Sequence, residues 1–221
     1  MMKVKYFVCN PFGELCYVAW DEVSHHAIVV DPGMASDREW SALQRFVSEQ
    51  HLTLDLVLVT HSHTDHVMGA GYLKREYPDL EICGSVEDQN HLPPIEVQNQ
   101  MFGVDVMVHY SPITRNLMEG DVLTFGTDGC QHRIRVIDCP GHSHHGLCYY
   151  LEDDQLLFSG DVLFAGSVGR SDFGPAMGGN GRLLLEGIVQ KLFVLPSEVK
   201  VYPGHGIHTT IGYEMQTNPY V

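Results

Sequence analysis

The chain has 221 residues, is 44% hydrophobic and carries a formal charge of −15. That length and apolar share suffice for a full core in a single domain spanning residues 1–221, and the acidic excess argues against nucleic acid or an anionic membrane as the main partner. Six scattered cysteines without a Cys-x-x-Cys pair read as reduced, packed thiols; with no run near the ~18 apolar residues of a membrane span and no signal-type N-terminal stretch, a cytoplasmic protein is expected.

The first forty residues read as three short strands, 4–9, 15–20 and 27–30, the last closing at Asp31-Pro32-Gly33. Ser36 with Glu39 forms a capping box, and Trp40, Leu43 and Val47 follow at helical spacing. The apolar run 54–59 predicts a buried strand ending at Thr60. Directly after it stands Thr60-His61-Ser62-His63-Thr64-Asp65-His66. Three imidazoles and a carboxylate so close together point to a metal, because borderline cations such as Zn²⁺ or Fe²⁺ prefer these ligands. In extended backbone His61 and His63 point to one side. Asp65 and His66 fall where Val67, Met68, Ala70 and Leu73 begin a helical pattern, so they turn toward a different point. One segment can therefore supply two neighbouring metal sites.

A short strand at 80–83 follows. Residues 87–118, with Pro93-Pro94, read as short helices and a long loop bordering an active site. Strands are then expected at 122–125, 133–138, 147–151 and 155–158. Leu184, Leu185, Ile188, Val189, Leu192 and Phe193 predict an amphipathic helix, and a last strand covers 199–202. Strands, helices, strands, helix predicts an α+β fold of two sheets packed together under outer helices.

Three strand ends repeat the logic of the His-rich segment: Pro140-Gly141-His142, Gly160-Asp161 and Pro203-Gly204-His205 each place a ligand-type residue at a glycine turn. Ligands delivered from several strand ends are how a rigid scaffold holds a site. His144, His145 and His208, near these segments, read as supporting or exposed residues, and the six other histidines (His25, His26, His51, His91, His109, His132) as structural or surface residues.

With these motifs in this order, the chain resembles the metallo-β-lactamase superfamily along essentially its whole length. The resemblance implies an αββα four-layer sandwich with metals at one edge of two mixed sheets. It implies that His61, His63 and His142 bind a first divalent ion and Asp65, His66 and His205 a second, with Asp161 bridging and Asp31 supporting the site from behind the ligands. Seven ligands, one shared, leave room for a bridging hydroxide. The expected ions are two Zn²⁺, with Fe²⁺ or Mn²⁺ as alternatives. Residues 158–164 and 169–173 are similar to the glyoxalase II branch, most closely its short members. No C-terminal glutathione-gripping helical domain is expected, since only sixteen residues follow His205.

The implied reaction is hydrolysis of a thioester on a small acyl-thiol, S-lactoylglutathione first, by the bridging hydroxide. Asp65 would orient that hydroxide, and Arg170 would contact substrate. The alternatives are a mononuclear-iron persulfide dioxygenase built on His61, His142 and Asp161, a lactonase, or a phosphodiesterase. An RNA-processing nuclease fits poorly without a basic stripe. A β-lactamase fits poorly with Asp161 where those enzymes generally use Cys or another residue. A purely structural metal module conflicts with the open coordination. Oligomeric state is not legible.

Overall fold

Alternation of side chains along the strands assigns each residue to one of three apolar layers. The computed structural model describes residues 1–106 and 108–221. One sheet is formed by β1 (Met2–Cys9), β2 (Glu14–Asp21), β3 (His26–Val30), β4 (Thr53–Leu58), β5 (Glu81–Gly84) and β6 (Arg115–Asn116), in that spatial order. The first three strands pair antiparallel and β3 to β6 parallel. The second sheet contains β7 (Val122–Thr127), β8 (Cys130–Asp138), β9 (Leu147–Leu151) and β10 (Leu156–Gly160), beyond a small ribbon of β11 (Leu163–Phe164) and β12 (Ser167–Val168). β13 (Lys200–Pro203) and β14 (Thr209–Thr210) complete it, with β13 parallel to β10.

Ala27, Val29, Val57 and Val59 face outward from the first sheet, where Trp40, Leu43 and Val47 of α1 (Asp37–Glu49) cover them. Ile28, Val30, Leu56 and Leu58, one residue out of phase, face the second sheet and pack with Phe125, Val136, Tyr149 and Phe158. This is the period-two rule of strands, applied to strands buried on both faces. Ile137, Tyr150, Leu157 and Val201 form the outer layer of the second sheet. Leu184, Ile188 and Leu192 cover them. The result is the expected helix–sheet–sheet–helix sandwich.

Six further α-helices occur among the described residues. They are α2 (Thr64–Val67), α3 (Ala70–Glu76), α4 (Val86–His91) and α5 (Ile95–Phe102), with α6 (Gly181–Gly187) and α7 (Ile211–Thr217) later in the chain. The capping box of α1 is partly as expected. Ser36 Oγ accepts from Glu39 N at 3.3 Å, but the Glu39 carboxylate reaches Ala35 N at 2.7 Å. The predicted amphipathic helix continues from α6 as a π-helical turn over Ile188–Leu192, closed by Phe193 N donating to Ile188 O at 2.9 Å. Val189, expected on the apolar face, lies at its edge and is half exposed. The strand before the His-rich segment stops at Leu58 rather than Thr60. Thr60 leaves its own ladder because its carbonyl accepts from Leu147 N of the other sheet at 2.7 Å. No helix among the described residues is long and apolar enough to cross a membrane.

Candidate metal centre

The ends of β3, β4, β8, β10 and β13 meet at one edge of the sandwich, and the sequence-predicted ligands meet with them. The donor atoms of His61, His63 and His142 lie within 4.8 Å of one another, and so do those of Asp65, His66 and His205. His142 Nε2 is 2.9 Å from His63 Nδ1 and 3.2 Å from His61 Nε2. In the other cluster Asp65 Oδ2 stands 3.2 Å from His205 Nε2 and 3.6 Å from His66 Nε2. Asp161 lies between them, with Oδ1 3.5 Å from His66 Nε2 and Oδ2 3.5 Å from His142 Nε2.

The outer ring nitrogens are already occupied. His142 Nδ1 donates to the Arg170 carbonyl at 2.7 Å, and His66 Nδ1 donates to Asp31 Oδ2 at 3.0 Å. His61 Nδ1 donates to Thr60 Oγ1 at 3.1 Å, and that hydroxyl donates to Asp31 Oδ2 at 2.7 Å. For His61 and His142 this bond fixes a tautomer that leaves Nε2 as a lone pair aimed at the centre. Asp31 thus reaches an imidazole of both clusters through a single carboxylate.

Burial pushes His61, His63 and His142 down, His63 to about 3 and His142 to about 4, so these rings are neutral lone-pair donors at neutral pH. Burial also acts downward on His66, but Asp65, Asp161 and Asp31 outweigh it and raise this imidazole to about 10. Burial pushes Asp65 up, and His66 and His205 more than reverse it, holding the carboxyl below its usual range. These residues fit divalent metal binding. Buried His66 Nε2 and Asp161 Oδ1 have no hydrogen-bond partner among the described residues, and the neutral imidazoles of His61, His63 and His142 beside the ionised Asp65 carboxylate form an N/O donor set of the kind that divalent transition metals take. Gly204 is required by the packing, since a Cβ there would lie 2.3 Å from Asp161 Oδ1 and 2.6 Å from His66 Cε1.

Several supporting residues carry no local signal in the sequence. Asp88 of α4 is fully buried and accepts from Ser62 N at 2.7 Å and from His145 N at 2.9 Å, tying the His-rich segment to the loop that carries His142. Gln98 of α5 accepts from Thr64 N at 2.9 Å, and Thr64 Oγ1 donates to Asn99 Oδ1 at 2.6 Å. Asn10 donates to the Asp65 carbonyl at 2.9 Å. The stretch 87–118 therefore borders the site, as expected, and also clamps it. Glu14 is buried with neither carboxylate oxygen partnered among the described residues, and burial, followed by nearby Cys9 and Asp31, drives its carboxyl well up.

Arg170 lines the cavity above the donor atoms, with its exposed guanidinium forked onto Asp172 at 2.9 and 3.0 Å. His145 is tied to Asp138 at 3.1 Å and Glu87 at 3.2 Å, His144 faces the Ala176 carbonyl, and His208 is exposed. His132 has more ligand-type company than its sequence context implies: it pairs with Asp154 at 2.7 Å and lies in a small group with Asp21 and Cys130. All six cysteines are free and five are buried.

A four-layer sandwich with His, Asp and His clusters at its strand ends defines the class. Residues 9–205 match the family model of the metallo-beta-lactamase superfamily, and the chain belongs to that superfamily. It is 33% identical to hydroxyacylglutathione hydrolase GloC of Haemophilus influenzae, across all of this chain and 98% of that one. It is also 33% identical to the probable metallo-hydrolase YqgX of Bacillus subtilis, over 88% of this chain and 86% of the relative. Among solved structures, the BLEG-1 B3 metallo-beta-lactamase superposes with a TM-score of 0.85 at 30% identity, covering 99% of both chains. TTHA1623 in a di-iron-bound form superposes with a TM-score of 0.81 at 30% identity, over 98% of this chain and 100% of that chain. The chain is a metal-dependent hydrolase of this superfamily.

Proposed function

We propose that the protein hydrolyses thioesters of small acylated thiols, as a glyoxalase II-type enzyme. The observation that carries this reading is the pair of donor clusters with Asp161 between them at the floor of a cavity of about 270 Å³. The full-length similarity to a hydroxyacylglutathione hydrolase supports the substrate class. His61, His63 and His142 would hold one divalent ion, Asp65, His66 and His205 a second, and Asp161 both, with zinc the preferred ion and iron or manganese as alternatives. When bound, the ions supply Lewis acidity toward the carbonyl oxygen and make water acidic enough to attack at neutral pH.

The protein's own groups account for the rest. Asp65 Oδ2, kept ionised by His66 and His205, is placed to accept a hydrogen bond from the attacking water and so orient it. The Arg170 carbonyl fixes the tautomer of His142, and Asp31 fixes those of His61 and His66. The guanidinium of Arg170, at the cavity rim, would contact the substrate. The same four-segment ligand set admits a second reading, a mononuclear-iron dioxygenase on His61, His142 and Asp161.

Elemental analysis beside thioester assays separates the two. Purified protein is expected to hold two metal equivalents per chain. It should hydrolyse S-lactoylglutathione or a related thioester, lose this activity to a chelator and regain it with zinc. One iron per chain, persulfide-dependent oxygen uptake and no thioester cleavage would replace this reading with the second.

A further inference from the structure

Nine phenylalanines occur in the chain, and five of them pack into or against the three apolar layers. The other four, Phe12, Phe102, Phe164 and Phe173, belong to none of those layers among the described residues, and all four line the cavity above the metal centre. They come from four separate places: the β1–β2 turn, the C-terminal end of α5, β11, and the loop after β12. Apolar rings withheld from the core and gathered around one cleft have a use there.

Their arrangement is continuous. Phe12 meets Phe102 edge-to-face at 5.9 Å, and Phe102 meets Phe173 edge-to-face at 5.8 Å. Phe173 in turn lies 5.7 Å from the rings of both His63 and His142. On the far side Phe164 stands 6.3 Å from His205. A carbonyl carbon held at the donor atoms would have its own substituents near these rings. Arg170, the one Arg or Lys lining the cavity among the described residues, is already forked onto Asp172 and lies over Phe173 at 4.4 Å. At about 270 Å³ the cavity falls just below the usual range for ligand pockets. It has room for an acyl group with one ring, and a peptide-sized thiol carrier would extend outward past Arg170.

We infer that the Phe12–Phe102–Phe173 wall is an acyl-group pocket that selects aryl-substituted acyl thioesters over lactoyl thioesters. This rests on the thioester-hydrolase reading and specifies its substrate class. A phenyl ring would take the edge-to-face contacts that these rings already make with one another, and would displace water from a surface that a methyl group leaves largely wet.

S-mandeloylglutathione and S-lactoylglutathione share the thiol and the 2-hydroxyl and differ only in phenyl against methyl, so their ratio of kcat/KM on metal-loaded protein reads the pocket. The expected ratio is about tenfold or more in favour of mandeloyl, within the range that apolar pockets achieve. It should fall toward unity in Phe102→Ala, and also in Phe12→Ala, whose ring is partly exposed. Calorimetric titration with mandelate and lactate gives a readout independent of turnover, with mandelate expected to bind about tenfold tighter. Equal ratios in the native protein, or a preference unchanged in both variants, would overturn the pocket. Mandelate preference without hydrolysis of either thioester would leave the pocket standing and sink the thioester reading.

Discussion

Asp31 sits in the left-handed region at φ +51°, which Asp tolerates better than most residues. From there its two oxygens take three hydrogen bonds: Thr60 N at 2.7 Å, Thr60 Oγ1 at 2.7 Å and His66 Nδ1 at 3.0 Å. An amide in its place has one acceptor oxygen and two donors, so at least one of these N–H or O–H groups would face a donor. Because the bonds set the tautomers of His61 and His66, Asp31→Asn is expected to lower metal affinity by about 10–100-fold. Metal titration of the chelator-stripped variant beside the native protein checks this. Asp31 is legible in the sequence as the residue closing a strand at Asp31-Pro32-Gly33. Its service to both clusters is not, since it depends on a hydroxyl and an imidazole about thirty residues away.

At the scale of elements, the ligand segments are readable because each is a short local string: apolar run, glycine turn, donor. The residues that brace them are not. Asp88 and Gln98 resemble ordinary polar helix residues, and only packing turns them inward to satisfy backbone groups of the His-rich segment. The two-residue strands β6, β11, β12 and β14 are too short to carry any periodicity. The π-helical turn after α6 escapes a reading based on 3.6-residue spacing for a similar reason. Asp88→Ala would strand the N–H groups of Ser62 and His145, at a cost of about 1–3 kcal/mol for each group left unsatisfied. A lowered denaturation midpoint is expected, together with weaker metal retention because both ligand loops lose the same anchor. A stability loss with metal retention unchanged would show that Asp88 braces the fold alone.

The whole molecule is tied at both ends of the sandwich. At the edge far from the metal centre, buried Asp21 closes β2 and accepts from Ser24 N at 2.7 Å, Val23 N at 3.0 Å and the Cys130 thiol of the other sheet at 3.1 Å. Burial pushes this carboxyl up, but the hydrogen bonds, led by Ser24 N, outweigh it and hold it well below its usual range. A depressed folded value stabilises the protein fully above the unfolded value near pH ~4, and the contribution drains away as pH falls toward the folded value. Urea unfolding of the native protein should therefore lose stability below about pH 4, and Asp21→Asn should lose less over the same interval. Equal slopes for the two proteins would remove Asp21 from the account.

At the metal edge, the first sheet contributes His61, His63, Asp65 and His66, and the second contributes His142, Asp161 and His205. Neither half carries a complete donor set for either of the two ions proposed above. Cleaved in the exposed turn at Gly120, the chain would become two fragments that the proposed ions would hold together. Their reassembly would then depend on metal concentration, making the centre a fastener of the sandwich as well as its reactive point.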